Sequence, residues 1–296
     1  MSIWPVNFDN YKIERKAKSE ENKNIDKDKN LEIEALKELN SLIGLNKVKQ
    51  IINELYALEQ VQIKRKNAGL ATDPIVLHMV FKGNPGTGKT TVARILGKLL
   101  KGIGVLSKGH VVEVERADLV GEYIGHTAHR VQENVKKSLG GILFVDEAYS
   151  LARGGEKDFG KEAIDTLVKA MEDYKDEFIL ILAGYRDEME YFLNTNPGLR
   201  SRFPIQIDFP DYTIDELLQI AELMVKNRQY ILTDSAKRKI MKVLINDNTT
   251  REIGNARLVR NIIERAIRKH AVRIMNKKTI TKDDLMIIDS IDIRED

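Results

Sequence analysis

The run Gly83-Asn84-Pro85-Gly86-Thr87-Gly88-Lys89-Thr90 stands between a short apolar stretch, Leu77-His78-Met79-Val80-Phe81, and residues of helical period from Thr90 to Leu100. Few structures accept such a run. Its glycines let the backbone curl until successive N–H groups point at one anion, and the helix that opens directly after it adds a field favouring negative charge. Strand, glycine-rich loop and helix in this order is the setting that the phosphate-binding Walker A pattern requires. Within it Lys89 can reach the β- and γ-phosphates of ATP. The Thr90 hydroxyl can ligate Mg²⁺, and Thr91 follows it on the first helical turn.

A second run supplies the acid. Gly141-Ile142-Leu143-Phe144-Val145-Asp146-Glu147 places four apolar residues before two carboxylates. A strand buried along its length would deliver both at its C-terminal end, the edge where open α/β sheets bind ligands. Asp146 is expected to hold Mg²⁺ and Glu147 to polarise the attacking water. Strands often end in acidic residues, so this signal draws its strength from the lysine loop upstream.

Apolar strands and helical stretches alternate around these two runs. Further strand candidates are His110 to Val114, Phe178 to Leu182 and Ile205 to Phe209. Helical patterns cover Ala128 to Leu139, Lys161 to Tyr174 and Asp187 to Asn194. Alternation of this kind implies a parallel sheet with helices on both faces. Upstream, helical periods run from Leu31 and through Val48 to Leu58, with a break at Ser41 to Gly44 and a stop at Gly69. After Pro210 the pattern becomes helical: Ile214 to Asn227, Asp234 to Asn246 and Asn255 to Met275. Thr279 to Ile288 reads as a short strand and one helical turn. The expected organisation is an N-terminal charged arm or solvated helix over 1–38, a nucleotide-binding αβα domain over 39–210 and a small helical lid over 211–296.

Composition narrows the remaining classes. The 296 residues contain no cysteine, which excludes a disulfide-held fold and thiol catalysis. Five histidines do not cluster at ligand spacing, so no zinc site is expected. A formal charge of +3 gives no reason to expect nucleic acid as a partner. The start, Met1-Ser2-Ile3-Trp4-Pro5, lacks the charged and apolar regions of a signal peptide, and no apolar run reaches the ~18 residues of a membrane span. The expected location is the cytoplasm, without a membrane partner.

The chain resembles the AAA+ superfamily, and more narrowly the group that contains stage V sporulation protein K and the red-type Rubisco activases. Besides the two nucleotide motifs, the resemblance rests on Asp118-Leu119-Val120-Gly121-Glu122-Tyr123-Ile124-Gly125-His126-Thr127, on Ala183-Gly184-Tyr185 and on Gly254-Asn255-Ala256-Arg257. It runs from about Leu39 to the end. The resemblance implies an ATP-hydrolysing homo-hexamer that remodels a client protein. Ile43 and Gly44, within Leu42-Ile43-Gly44-Leu45, would pack on the adenine. Asn196-Pro197-Gly198-Leu199-Arg200-Ser201-Arg202-Phe203 resembles the box ending in an arginine finger, with Arg202 the first choice and Arg200 the second. Arg257 matches the lid arginine that touches the γ-phosphate. Tyr123, with Ile124 and Gly125, matches the pore loop that grips polypeptide. The family's polar first sensor is replaced here by Ala183-Gly184-Tyr185-Arg186, which leaves that role open for Tyr185. Two other readings remain open: a DNA-acting motor using the basic helix after Asn255, and a nucleotide switch that does not hydrolyse.

Overall fold

The computed structural model describes residues 27–73, 75–123, 125–153, 158–196, 198–247 and 254–294. The charged stretch before residue 27, Ile124 of the expected pore loop and Pro197 of the arginine box lie outside the described residues. The N-terminal part runs α1 (27–41), α2 (Asn46–Asn67), β1 (Met79–Lys82), α3 (Lys89–Gly102), β2 (Val111–Val114), α4 (Arg116–Leu119), α5 (His126–Ser138) and β3 (Ile142–Val145). A 3-10 turn, Ala148–Ala152, leads on to α6 (Gly160–Asp173), β4 (Ile179–Gly184), α7 (Arg186–Thr195), α8 (Leu199–Arg202) and β5 (Ile205–Asp208). The five strands form one parallel sheet in the order β2-β3-β4-β1-β5.

The central strands are buried on both faces, and their side chains divide with period two. Met79, Phe81, Ile142, Phe144, Ile179 and Ile181 face the layer built from α1, α2 and α3. Val80, Leu143, Val145, Leu180 and Leu182 face α5, α6 and α7. The result is the expected αβα sandwich. Helix α1 begins inside the stretch expected to be an arm or solvated helix, and its Ala35 and Leu39 are buried against α2 and α3.

Downstream lie α9 (Ile214–Lys226), β6 (Ile231–Leu232), α10 (Asp234–Asp247), α11 (Asn255–Met275), α12 (Lys282–Met286) and β7 (Ile287–Ile288). Thr213 caps α9 through a reciprocal box with Glu216, a pairing that fixes where the helix starts. Two details differ from the sequence expectation. The tail forms its helical turn first and its strand second. That strand pairs in parallel with β6, an element in the gap between two expected helices that the sequence reading left unassigned. Two-residue strands carry too little periodicity to be seen in a sequence.

His78, next to β1, is buried between Phe178 and Phe203, and its Nδ1 accepts the Leu180 N–H at 3.0 Å. Burial lowers its pKa to about 4. The native state therefore resists a proton that the unfolded chain takes up below about pH 6.5. This contribution leaves stability intact above that pH and erodes it as pH falls towards 4, by an amount on the order of 3 kcal/mol. Urea unfolding of the protein and of His78→Gln at pH 7 and pH 4.5 is expected to show the steeper acid loss in the parent.

Candidate nucleotide site

The loops after β1, β3 and β4 all emerge at the C-terminal edge of the sheet, and they meet in one cleft. Its volume is about 510 Å³, within the range of small-molecule sites. Gly83, Pro85, Gly86, Gly88, Lys89, Thr90 and Thr91 form its floor, Asp146 and Glu147 one side, and Gly184 and Tyr185 the rim. The lid closes it from above through Ala256 and Arg257.

The loop is shaped for an anion. Lys89 donates to the carbonyls of Gly83 (2.7 Å) and Asn84 (2.9 Å), so its ammonium is held inside the curl. Burial lowers its pKa. Asp146, Glu147 and Asp211 oppose that shift, and the positive charge of Arg257 adds to it. Lys89 and Arg257 therefore act on the same small volume from opposite domains. Thr87 is fully buried, with its hydroxyl on the Asn84 carbonyl at 2.8 Å. Gly86 has φ of 74°, and a Cβ there would lie 2.7 Å from the Gly254 carbonyl oxygen and 2.8 Å from the Arg257 nitrogen. Any side chain at this position would wedge the lid away from the loop.

A chain of polar contacts joins lid and loop. Asn84 donates to the Asp211 carboxylate at 2.9 and 3.0 Å. The Asn255 side chain donates to Asp211 at 2.7 Å and accepts the Tyr212 N–H at 3.0 Å. Ala256 N–H reaches the Gly86 carbonyl at 3.2 Å, and the Tyr212 hydroxyl reaches that of Thr87 at 3.2 Å. Asn255 is completely buried and has φ of 46°, a left-handed backbone that this network holds in place.

The acidic pair is also set by unusual backbone. Asp146 N–H bonds the Val114 carbonyl, continuing the sheet, and its carboxylate accepts the Glu147 N–H at 3.0 Å. Glu147 has φ of 47°, which turns the chain sharply where β3 ends. Its charge reaches Tyr149, whose pKa rises to about 12 mainly through burial and then through Glu147. Thr90 and Asp146 offer a hydroxyl and a carboxylate to the same cleft, a hard oxygen donor pair that fits Mg²⁺.

The base end combines expected and unexpected residues. Leu42, Ile43 and Leu45 line it, while Gly44 lies behind them with its backbone against the Glu216 carboxylate. Ile220, Leu223 and Met224 of α9, with Asn227 just past its end, form the facing wall, which sequence reasoning missed. Arg94 and Arg260 also border the cleft and were not anticipated. Tyr185 stands at the rim with its ring 6.0 Å from that of Tyr149.

Three expected site residues lie elsewhere. Arg202 bonds the Glu172 carboxylate at 2.9 Å and the Gly198 carbonyl at 3.2 Å. Arg200 bonds Glu190 at 3.2 Å and Asn194 at 3.1 Å. Tyr123 is 64 % exposed, its ring edge-on to His126 at 5.3 Å, directly before Ile124 and Gly125. None of the three lines the nucleotide cleft.

Residues 79–211 match the family described as ATPase family associated with various cellular activities (AAA), and residues 213–296 match the AAA lid domain. Stage V sporulation protein K of Bacillus subtilis is 57% identical over 260 residues, covering 87% of this chain and 81% of the relative. The chloroplastic ribulose bisphosphate carboxylase/oxygenase activase of Cyanidioschyzon merolae is 44% identical over 255 residues, covering 85% and 87% respectively. Among solved structures, the FIGL-1 AAA domain in complex with ADP superposes with a TM-score of 0.58 at 17% identity, over 85% of this chain and 80% of that one, a likeness of fold.

Proposed function

We propose, from the premise that this chain belongs to the AAA family of ATPases and is an ATP hydrolase, that it works as a hexameric ring which remodels a client polypeptide. The observation that carries this reading is Tyr123: a large aromatic, exposed, on a short loop between Gly121 and Gly125, away from the nucleotide cleft. An exposed tyrosine on such a loop is suited to gripping polypeptide, since aromatic anchors carry a disproportionate share of binding energy.

In the proposed ring, Lys89 and the loop N–H groups bind the phosphates, and Thr90 and Asp146 hold Mg²⁺. Mg²⁺ bound there would supply positive charge against the phosphates. Glu147 orients the attacking water and takes its proton. Arg257 follows the γ-phosphate from the lid. Arg202 lies outside its own chain's cleft, which agrees with a finger that enters the site of the next subunit. Both arginines are ion-paired within their own chain, Arg202 with Glu172 at 2.9 Å and Arg200 with Glu190 at 3.2 Å, so the choice of Arg202 over Arg200 rests on its place in the motif. The katanin relative in fold, with a TM-score of 0.54, comes from work on katanin self-assembly, which supports assembly here by analogy only. In the described residues no helix is long and apolar enough to cross a membrane, and a cytoplasmic location is part of the proposal.

Tyr123→Ala is expected to keep ATP turnover within about threefold of the parent, under ~1 kcal/mol in barrier height, because it removes no group near phosphate. Processing of an unfolded polypeptide should be lost. Both rates need measuring on one preparation whose hexamer content is checked by light scattering. Polypeptide processing at the parent rate would make Tyr123 a surface residue and end the pore reading.

A further inference from the structure

Between the cleft and the Tyr123 loop lies a second cavity of about 480 Å³, and Glu147 borders it together with Glu115, Arg116, Gly121 and Glu122. The back of the hydrolytic site and the base of the loop therefore share one space. Arg116 spans that space. Its Nη1 donates to the Ser150 carbonyl at 2.6 Å, and its Nη2 pairs with Asp158 at 2.5 Å. The Ser150 N–H in turn bonds the Glu147 carbonyl at 2.8 Å. On the other side, the Arg116 carbonyl accepts the Val120 N–H at 2.9 Å, which leads into the loop.

Both ends of this bridge are firmly held. Asp158 also accepts the Gly160 N–H at 2.7 Å, and a Cβ on Gly160 would lie 2.0 Å from the Leu151 carbonyl oxygen and 2.9 Å from Arg116 Nη1. That joint has no slack. At the loop base, Arg130 donates to the carbonyls of Ala117 (3.0 Å) and Val120 (2.8 Å), and the Thr127 hydroxyl accepts the Gly121 N–H at 2.9 Å. The β2–β3 ladder ties Glu147 to this region through the Asp146 N–H on the Val114 carbonyl, and the side chain of Arg116, half-buried and charge-paired, adds a direct link from the turn after Glu147 to α4. The Arg116 hydrogen bond holds the Asp158 carboxyl below its ordinary pKa, so the pair is ionic at neutral pH.

We infer that Arg116 is a positioning residue that couples the segment carrying Glu147 to the loop carrying Tyr123, so that the nucleotide state sets where the loop sits. Motion of the turn after Glu147 shifts the Ser150 carbonyl. A guanidinium planted on both Ser150 and Asp158 carries that shift into α4 and on to Val120. A lysine reaches only one of the two acceptors, and a methionine reaches neither. The inference rests on the pore reading for its purpose, though its geometry does not depend on it.

The chain has no cysteine, so Glu122→Cys bearing an environment-sensitive thiol dye reports on the loop alone; Glu122 is exposed. The labelled full chain is compared with ADP and with a non-hydrolysed ATP analogue. Its emission should differ between the two. Adding Arg116→Met should shrink that difference by about fivefold or more, with nucleotide affinity within about threefold of the parent. Arg116→Lys should restore part of it. A full-sized difference in Arg116→Met, or none in the labelled parent, overturns the inference. If the methionine variant does not fold, Asp158→Asn serves instead: it should weaken the response, and an undiminished response overturns the coupling. Tyr123→Ala in the labelled background separates the two claims. Retained polypeptide processing there ends the pore reading and leaves the coupling through Arg116 to be decided by the dye response.

Discussion

Lys89→Ala is expected to abolish tight ATP binding. The loop has one cation held inside its curl, on the Gly83 and Asn84 carbonyls. Hydrogen bonds to charged groups are worth about 1.5–3 kcal/mol each, and the ammonium can make two to the β- and γ-phosphates. Losing both predicts a rise in Kd of at least ~10²-fold. Arg257 cannot replace it, because it sits on the lid and its own approach depends on the lid being closed. Equilibrium binding of a fluorescent ATP analogue measures the effect. The fold itself should survive, since the substitution relieves a buried charge whose pKa is already lowered by desolvation. An unchanged Kd in folded protein would mean that the phosphates bind elsewhere.

Glu147→Gln should separate binding from chemistry. The carboxylate is placed by a left-handed backbone at the end of β3, and glutamine has the same shape, so the turn should persist. Asp146 and Thr90, the expected metal ligands, are untouched. What disappears is the group that accepts a proton from the attacking water. General-base catalysis of this kind contributes ~10²–10⁴-fold, so turnover should fall by at least ~10²-fold while ATP affinity changes little. A fall of 10² corresponds to ~2.7 kcal/mol in the barrier. Single-turnover hydrolysis under saturating ATP is the measurement. Near-normal turnover would move the base to another residue, with Tyr185 on the cleft rim the first to test.

Much of this site is readable in the sequence because its signals are local. The curl from Gly83 to Thr90 and the apolar run before Asp146 each contain their whole pattern within a few residues. The near-continuous apolar stretches at Ile142 and Ile179 announce strands covered on both faces, and both are. What the sequence hides is assembled across distance. Asn84, Asp211 and Asn255 are plain polar residues until the fold puts their side chains in contact. Leu223 and Met224 read as core positions of an amphipathic helix, yet they wall the base end of the cleft. The left-handed conformation of Glu147 has no sequence mark, since glutamate rarely adopts it, and that of Asn255 has only a faint one, since asparagine visits this region more readily than most residues. Arg116 looks like an ordinary charge after a strand, and only its contacts with Ser150 and Asp158 give it a role. The β6–β7 pairing escapes for a different reason: each strand is only two residues long, too short to show a period.

The proposed ring requires that one subunit complete the site of the next. Lys89→Ala subunits keep an intact Arg202 but an inert loop, and Arg202→Ala subunits keep an intact loop but no finger. Each variant alone should be nearly inactive. In mixed rings, some interfaces pair an intact loop with an intact finger, so steady-state ATP turnover of the mixture should exceed that of either variant by several-fold, as expected when a finger contributes ~10³-fold or more. Turnover no higher than the sum of the separate variants, in rings shown by mass to contain both, would contradict it.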